Sequence, residues 1–116
     1  MNVLYVDDQK ENLNVFRIAF KRTYTVFVAE SGEEALEVLQ DNQMDVVIAD
    51  HRMPGITGIE LLAKVGELYT KTKRIIISEY INDNVIREAI KSFNFDGCMS
   101  KPWNGEELKK MIDLKV

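Results

Sequence analysis

The sequence predicts an α/β protein, an open, doubly wound parallel sheet of five strands flanked by five helices. Three observations predict it. Short apolar runs of strand length alternate with amphipathic stretches of helix length from one end of the chain to the other. The connections are a few residues long, which makes residues 1–116 one domain with no internal linker. Val46 to Ala49 is continuously apolar, as in a strand that helices cover on both faces. Strict alternation in so short a chain excludes an eight-fold barrel, which needs about twice the length.

Asn2 to Val6 reads as the first strand and ends at the pair Asp7-Asp8. Gln9 to about Arg22 is helical, with Leu13, Phe16 and Phe20 at the spacing of one buried face. Tyr24 to Ala29 is β-branched and aromatic, a second strand. Ser31 then caps a helix whose first turn carries Glu33 and Glu34, and Ala35, Leu36 and Leu39 face the core. The third strand ends in Asp50, and Pro54-Gly55 breaks the chain soon after. Thr57 caps a third helix, with Ile59, Leu62 and Val65 inward. Arg74 to Ser78 is a fourth, buried strand, and Asn82 starts a helix carrying Ile86, Ala89, Ile90 and Phe93. Phe95 to Met99 is the last strand. Asn104 caps the final helix, whose buried stripe is Leu108, Met111 and Ile112.

Composition narrows the function classes. Hydrophobic residues make up 46% and charged residues 29% of the chain, an ordinary globular balance. A net charge of −4 argues against direct nucleic-acid binding, which selects basic surfaces. No apolar run approaches a membrane span, and the chain opens almost at once on a strand, so neither a membrane segment nor a signal peptide is expected. The single cysteine, Cys98, excludes an internal disulfide and fits a cytoplasmic location. With one histidine, His51, besides, a structural zinc site is excluded too.

Strand ends gather at one edge of such a sheet, and open α/β folds keep their ligands there. That edge collects Asp7, Asp8, Asp50, Ser78 and Lys101. Three carboxylates in one crevice raise one another's pKa and call for a cation. All-oxygen ligands suit Mg²⁺. A lysine and a hydroxyl donor beside them suit a phosphoryl group. Carboxylate nucleophile, divalent metal, cation and hydroxyl form a set for phosphoryl transfer to an aspartate.

On these residues, with Met53-Pro54-Gly55 and Gly58 behind Asp50 and Pro102 after Lys101, the whole chain resembles the receiver (CheY-like) domain of two-component response regulators. The resemblance implies the flavodoxin-like strand order 2-1-3-4-5. It implies that Asp50 accepts a phosphoryl group from a sensor histidine kinase or phosphotransfer protein. Asp7, Asp8 and Asp50, with the backbone carbonyl of Arg52, would then bind Mg²⁺. Ser78 would be the switch hydroxyl and Lys101 the phosphoryl-pairing cation, held by a typically cis Lys-Pro bond. The output surface would be the fourth helix, fifth strand and fifth helix, near Tyr80, Ile86, Ile90, Cys98 and Trp103, docking an effector or a second copy. Such a domain is a signalling switch rather than an enzyme.

Two residues depart from the family pattern. Glu79 stands where a small residue usually follows the switch hydroxyl. Turned inward, its carboxylate would repel a phosphoryl group and crowd the entrance, but it is expected to point outward, and slow phosphorylation by small-molecule donors is predicted. Cys98 replaces the usual aromatic lever, leaving Tyr80 as a substitute; as a thiol it reads as core filler rather than a redox centre. Arg52 and Tyr80 flank the path of attacking water and predict a long-lived phosphorylated state. His51 reads as an exposed loop histidine. The stretch from Arg52 to Leu62, with Tyr80 and Lys101-Pro102-Trp103, also resembles receivers fused to cyclic-di-GMP phosphodiesterase or transcription-activating modules. Rival readings are a degenerate receiver serving as an interaction module and a Mg²⁺-dependent aspartyl phosphatase, which would want an acid where Arg52 stands. A flavin carrier is disfavoured because Asp7-Asp8-Gln9 would repel phosphate.

Overall fold

A computed structural model describes residues 1–114. Its elements are β1 (Asn2–Val6), α1 (Lys10–Phe20), β2 (Thr25–Ala29), α2 (Gly32–Asp41), β3 (Val46–Asp50), α3 (Gly58–Leu68), β4 (Lys73–Ser78), α4 (Asn84–Phe93), β5 (Gly97–Ser100) and α5 (Gly105–Asp113). The strands form one parallel sheet in the order β2-β1-β3-β4-β5, the flavodoxin-like order expected from the sequence.

Period-two alternation along the buried strands builds two cores. Leu4, Val6, Val47, Ala49 and Ile76 point to one face, where α2, α3 and α4 bring Leu39, Leu61, Leu62, Val65 and Ile86. Val3, Tyr5, Ile48, Ile75 and Ile77 point to the other, where α1 and α5 bring Phe16, Phe20, Leu108 and Ile112. Each large side chain so buried contributes about 1.5–3 kcal/mol. This is why β1, β3 and β4 read as apolar runs.

Caps set where the helices begin. Ser31 accepts from the Glu34 N–H, Thr57 and Glu60 form a complete capping box, and Asn104 accepts from two N–H groups of α5. These hold the sheet-edge loops at defined angles. The fourth helix begins later than expected: Asp83, not Asn82, is its cap, accepting from the Val85 N–H. Phe93 is 43% exposed rather than inward, because the helix ends there at a left-handed Asn94. Leu61, fully buried, fills the core more completely than the half-buried Ile59. Met111 is likewise only half-buried.

Candidate functional site

The strand order reverses between β1 and β3, so their carboxyl ends open a crevice at the switch point. Asp7 follows β1, and its N–H is pinned to the Ala29 carbonyl at 3.1 Å. Asp50 closes β3. Carboxylate oxygens of Asp7, Asp8 and Asp50 all lie within 4.8 Å of one another. Asp7 is fully buried, Asp50 6% exposed, and Asp8 half-buried.

Lys101 answers this charge. Its Nζ donates to Asp7 Oδ2 and to Asp50 Oδ2, at 3.1 Å each. The Lys101–Pro102 peptide is cis, as the resemblance implies, and the Lys101 N–H returns to the Ser78 carbonyl at 3.1 Å. Burial raises the Asp50 carboxyl above the usual range, Lys101 opposes that, and Asp7 adds to it. Burial alone would lower the Lys101 ammonium, but the hydrogen bonds and charges of Asp50 and Asp7 outweigh it and hold it high. The site thus keeps its lysine charged beside an aspartate that burial makes costly to ionise. Three hard carboxylates with one ammonium leave negative charge in excess, and that donor set fits a small divalent cation such as Mg²⁺.

Ser78 is buried at the end of β4, where its Oγ accepts from the Tyr80 N–H at 3.1 Å. The Arg52 backbone lies on the side of Asp50 that favours the ionised carboxylate, the smallest of the influences on it. The Arg52 guanidinium lies 4.8 Å from the centre of the Tyr80 ring. Glu79 is exposed and, with Tyr80, Lys101 and Trp103, lines an open groove of about 590 Å³ that reaches Asn12 and Val15 of α1.

Three expectations need correction, those for His51, Ile86 and Trp103. His51 is not an exposed loop residue: it is half-buried, its Nδ1 is sealed without a hydrogen-bond partner, and burial pushes its imidazole down against the pull of Asp50. Ile86 belongs to the core at 1% exposure, so it offers nothing to an output surface. Ile90 is only partly buried against that core, in keeping with its place in the helix's apolar stripe. Trp103 turns away from the face of α4, β5 and α5 to pack against Tyr5, Phe16 and Phe20. The reason is size: a large indole with one N–H finds both apolar cover and an acceptor there. Cys98 is half-buried against the α4-side core, and burial raises its thiol, which leaves it a poor nucleophile.

Two contacts of Asp7 had no signature in the sequence. Asn12 Nδ2 donates to Oδ2 at 3.1 Å and the Gln9 N–H to Oδ1 at 2.9 Å. An Asn in a helix's first turn is too common to be singled out. Only the angle of α1 aims it.

A five-stranded doubly wound sheet with an acid triad and a bridging lysine at its switch point defines a class, and comparison agrees. The chain belongs to the response regulator receiver domain family, which matches residues 3–113; it is a receiver domain of two-component systems. It is 31% identical to the hydrogenase transcriptional regulatory protein HoxA of Cupriavidus necator over 106 residues, 91% of this chain and 22% of that one. It is 30% identical to sporulation initiation phosphotransferase F of Bacillus subtilis over 118 residues, 97% of this chain and 94% of that protein. The crystal structure of the signal receiver domain of an HD domain-containing protein from Pseudomonas fluorescens Pf-5 matches with a TM-score of 0.90 at 28% identity, over 96% of this chain and 90% of that one. The chain thus spans about a fifth of HoxA and nearly all of the sporulation phosphotransferase. No helix among the described residues is long and apolar enough to cross a membrane.

Proposed function

We propose that this chain is a phospho-acceptor switch. An Asp50 carboxylate oxygen attacks the phosphorus of a phosphohistidine on a sensor histidine kinase or phosphotransfer protein, the P–N bond breaks, and the imidazole leaves with its electron pair. The observation that carries this is the Lys101 Nζ, which bridges Asp7 and Asp50 at 3.1 Å beside a third carboxylate. Asp7, Asp8 and Asp50, with the Arg52 carbonyl, would hold Mg²⁺, which when bound neutralises charge on the transferring phosphoryl oxygens. Lys101 then pairs with the phosphoryl group, and Ser78 donates to it in place of accepting from Tyr80. That exchange biases the loop after β4 and the output face of α4, β5 and α5, with Tyr80 as the lever. The long regulator and the HD domain-containing protein among the similar proteins support control of an attached or partner effector, and the shared face also suits a homodimer. The setting is cytoplasmic, with neither nucleic acid nor membrane bound directly.

The test is intact mass spectrometry after incubation with Mg²⁺ and acetyl phosphate. One phosphoryl adduct is expected, absent from Asp50→Asn. A second reading, the degenerate receiver, draws on Glu79, which lines the same groove as Lys101. Slow labelling that Glu79→Ala accelerates means a guarded acceptor; no labelling in either protein means an interaction module.

The Arg52–Tyr80 pair sets a second expectation. A cation on an exposed ring is worth about 0.5–1 kcal/mol, or about two- to fivefold in a rate. Replacing either residue with alanine should shorten the phosphorylated lifetime by that factor, followed by adduct decay. A wild-type lifetime of only seconds counts against shielding.

A further inference from the structure

We infer that Tyr5 is a positioning residue for Asp7 and that Trp103 acts through it, so that cation binding at the acid cluster is transmitted to the indole. The inference rests on the proposed metal-binding role of Asp7. Its geometry is a chain of hydrogen bonds through the interior. Trp103 Nε1 donates to Tyr5 Oη at 3.2 Å, and Tyr5 Oη donates to Asp7 Oδ2 at 3.4 Å.

The direction of this chain is dictated by chemistry. An indole N–H only donates, and a carboxylate only accepts. The tyrosine, with a single proton, therefore accepts from Trp103 and aims that proton at Asp7. Neither end can be reversed. Tyr5 and Asp7 are both fully buried, so water cannot substitute for either partner, and an orphaned hydroxyl there would cost about 1–3 kcal/mol. The ring itself is clamped: Phe16 stacks on it at 4.3 Å, and Trp103 meets it edge-on at 6.5 Å.

The chain has a use beyond packing. Asp7 Oδ2 also takes donors from Asn12 and Lys101, of which Lys101 is the one committed elsewhere when a phosphoryl group arrives. Tyr5 is the fixed donor that keeps the carboxylate oriented while Lys101 moves. At 3.4 Å its bond to Asp7 is the longer of the two in the chain, with the ring held in place, so a cation that draws on the Asp7 carboxylate changes this bond while Tyr5 stays put. That change passes to the N–H of Trp103, two residues beyond Lys101. Oriented carboxylates bind metal better, and loss of an outer donor commonly costs about tenfold or more in affinity.

Trp103 is the only tryptophan, so its indole signals need no assignment. The experiment has two arms. In wild-type protein, Mg²⁺ titration should shift the Trp103 indole ¹⁵N–H resonance and the emission, with one midpoint. In parallel, Mn²⁺ affinity is read by electron paramagnetic resonance, independently of the indole. Tyr5→Phe, which keeps the ring, should bind Mn²⁺ about tenfold more weakly and lose most of the Trp103 response. Trp103→Phe should weaken binding less, and the double variant should match Tyr5→Phe alone, because the tryptophan acts through the tyrosine. A silent indole in wild-type protein that binds Mn²⁺, or a Tyr5→Phe affinity within twofold of wild type, overturns the inference and leaves the receiver reading standing. Additive losses in the double variant overturn the role of Trp103. Wild-type protein that takes neither ion removes the metal reading and this inference with it.

Discussion

Replacing Gly58 with alanine is expected to cost about 3 kcal/mol of stability and to abolish phosphoryl acceptance. A Cβ at this position would lie 2.3 Å from the Asp50 carbonyl oxygen and 2.8 Å from both the Asp50 carbonyl carbon and the His51 Cα. These are main-chain atoms at the end of β3, so no rotamer change relieves the overlap. Nor can the helix retreat cheaply. The Gly58 N–H is bonded to the His51 carbonyl at 3.0 Å, and the Thr57–Glu60 capping box holds the first turn of α3. The overlap must displace the backbone that carries Asp50. Gly105 is the control: it too opens a helix, but nothing lies within 4 Å of its Cβ position, and alanine there should be neutral or slightly stabilising. Urea denaturation of both variants, with acetyl phosphate labelling, decides it. A Gly58→Ala protein of wild-type stability and reactivity would show that β3 yields more easily than its packing implies.

Lys101→Met carries the second large effect. Breaking a buried ion pair by removing one partner costs about 3–5 kcal/mol. The Lys101 side chain is 17% exposed, so partial screening lowers the expected loss in metal-free protein to about 2–3 kcal/mol. The sign with pH follows from Asp50. Burial raises its carboxyl and Lys101 restrains that rise, so the variant's carboxyl goes higher still. A carboxyl raised by folding contributes stability at low pH, and loses it as pH climbs through the folded value. The deficit of Lys101→Met should therefore be greatest near neutrality and shrink on acidification through the carboxylate range. Adding Asp50→Asn should recover much of it, since the two changes act on one cluster. Denaturant midpoints at several pH values measure this. A deficit that is flat with pH would mean that Lys101 stabilises by packing alone.

Both effects bear on what was legible beforehand. The alternation of five strands and five helices, the caps Ser31, Thr57 and Asn104, and the acidic strand ends were all present in local pattern, because each is set by residues within a turn of one another. Strand order added only a rule about where such sheets open. The shift of the fourth cap from Asn82 to Asp83 is the usual uncertainty of a polar run, where several neighbours can accept the same N–H.

Tertiary structure decided the rest. Trp103 lies between β5 and α5 in sequence, yet its indole crosses to α1 because Tyr5 and Phe16, about ninety to a hundred residues earlier, offer cover and an acceptor. His51 read as exposed because loops usually are, and became half-buried because the α3 N-terminus returns to within a hydrogen bond of its carbonyl. Ile86 stood both in the apolar stripe of its helix and near the expected output face, and the packing of α4 settled it in the core at 1% exposure. Composition and periodicity state which side chains must be buried or must end a strand. They do not state which distant partner buries them, because that depends on crossing angles and loop paths that no local window contains. The sequence alone determined an α/β chain that brings its acids to one edge; only the packed molecule decided that Lys101 bridges them and that Tyr5 holds Asp7.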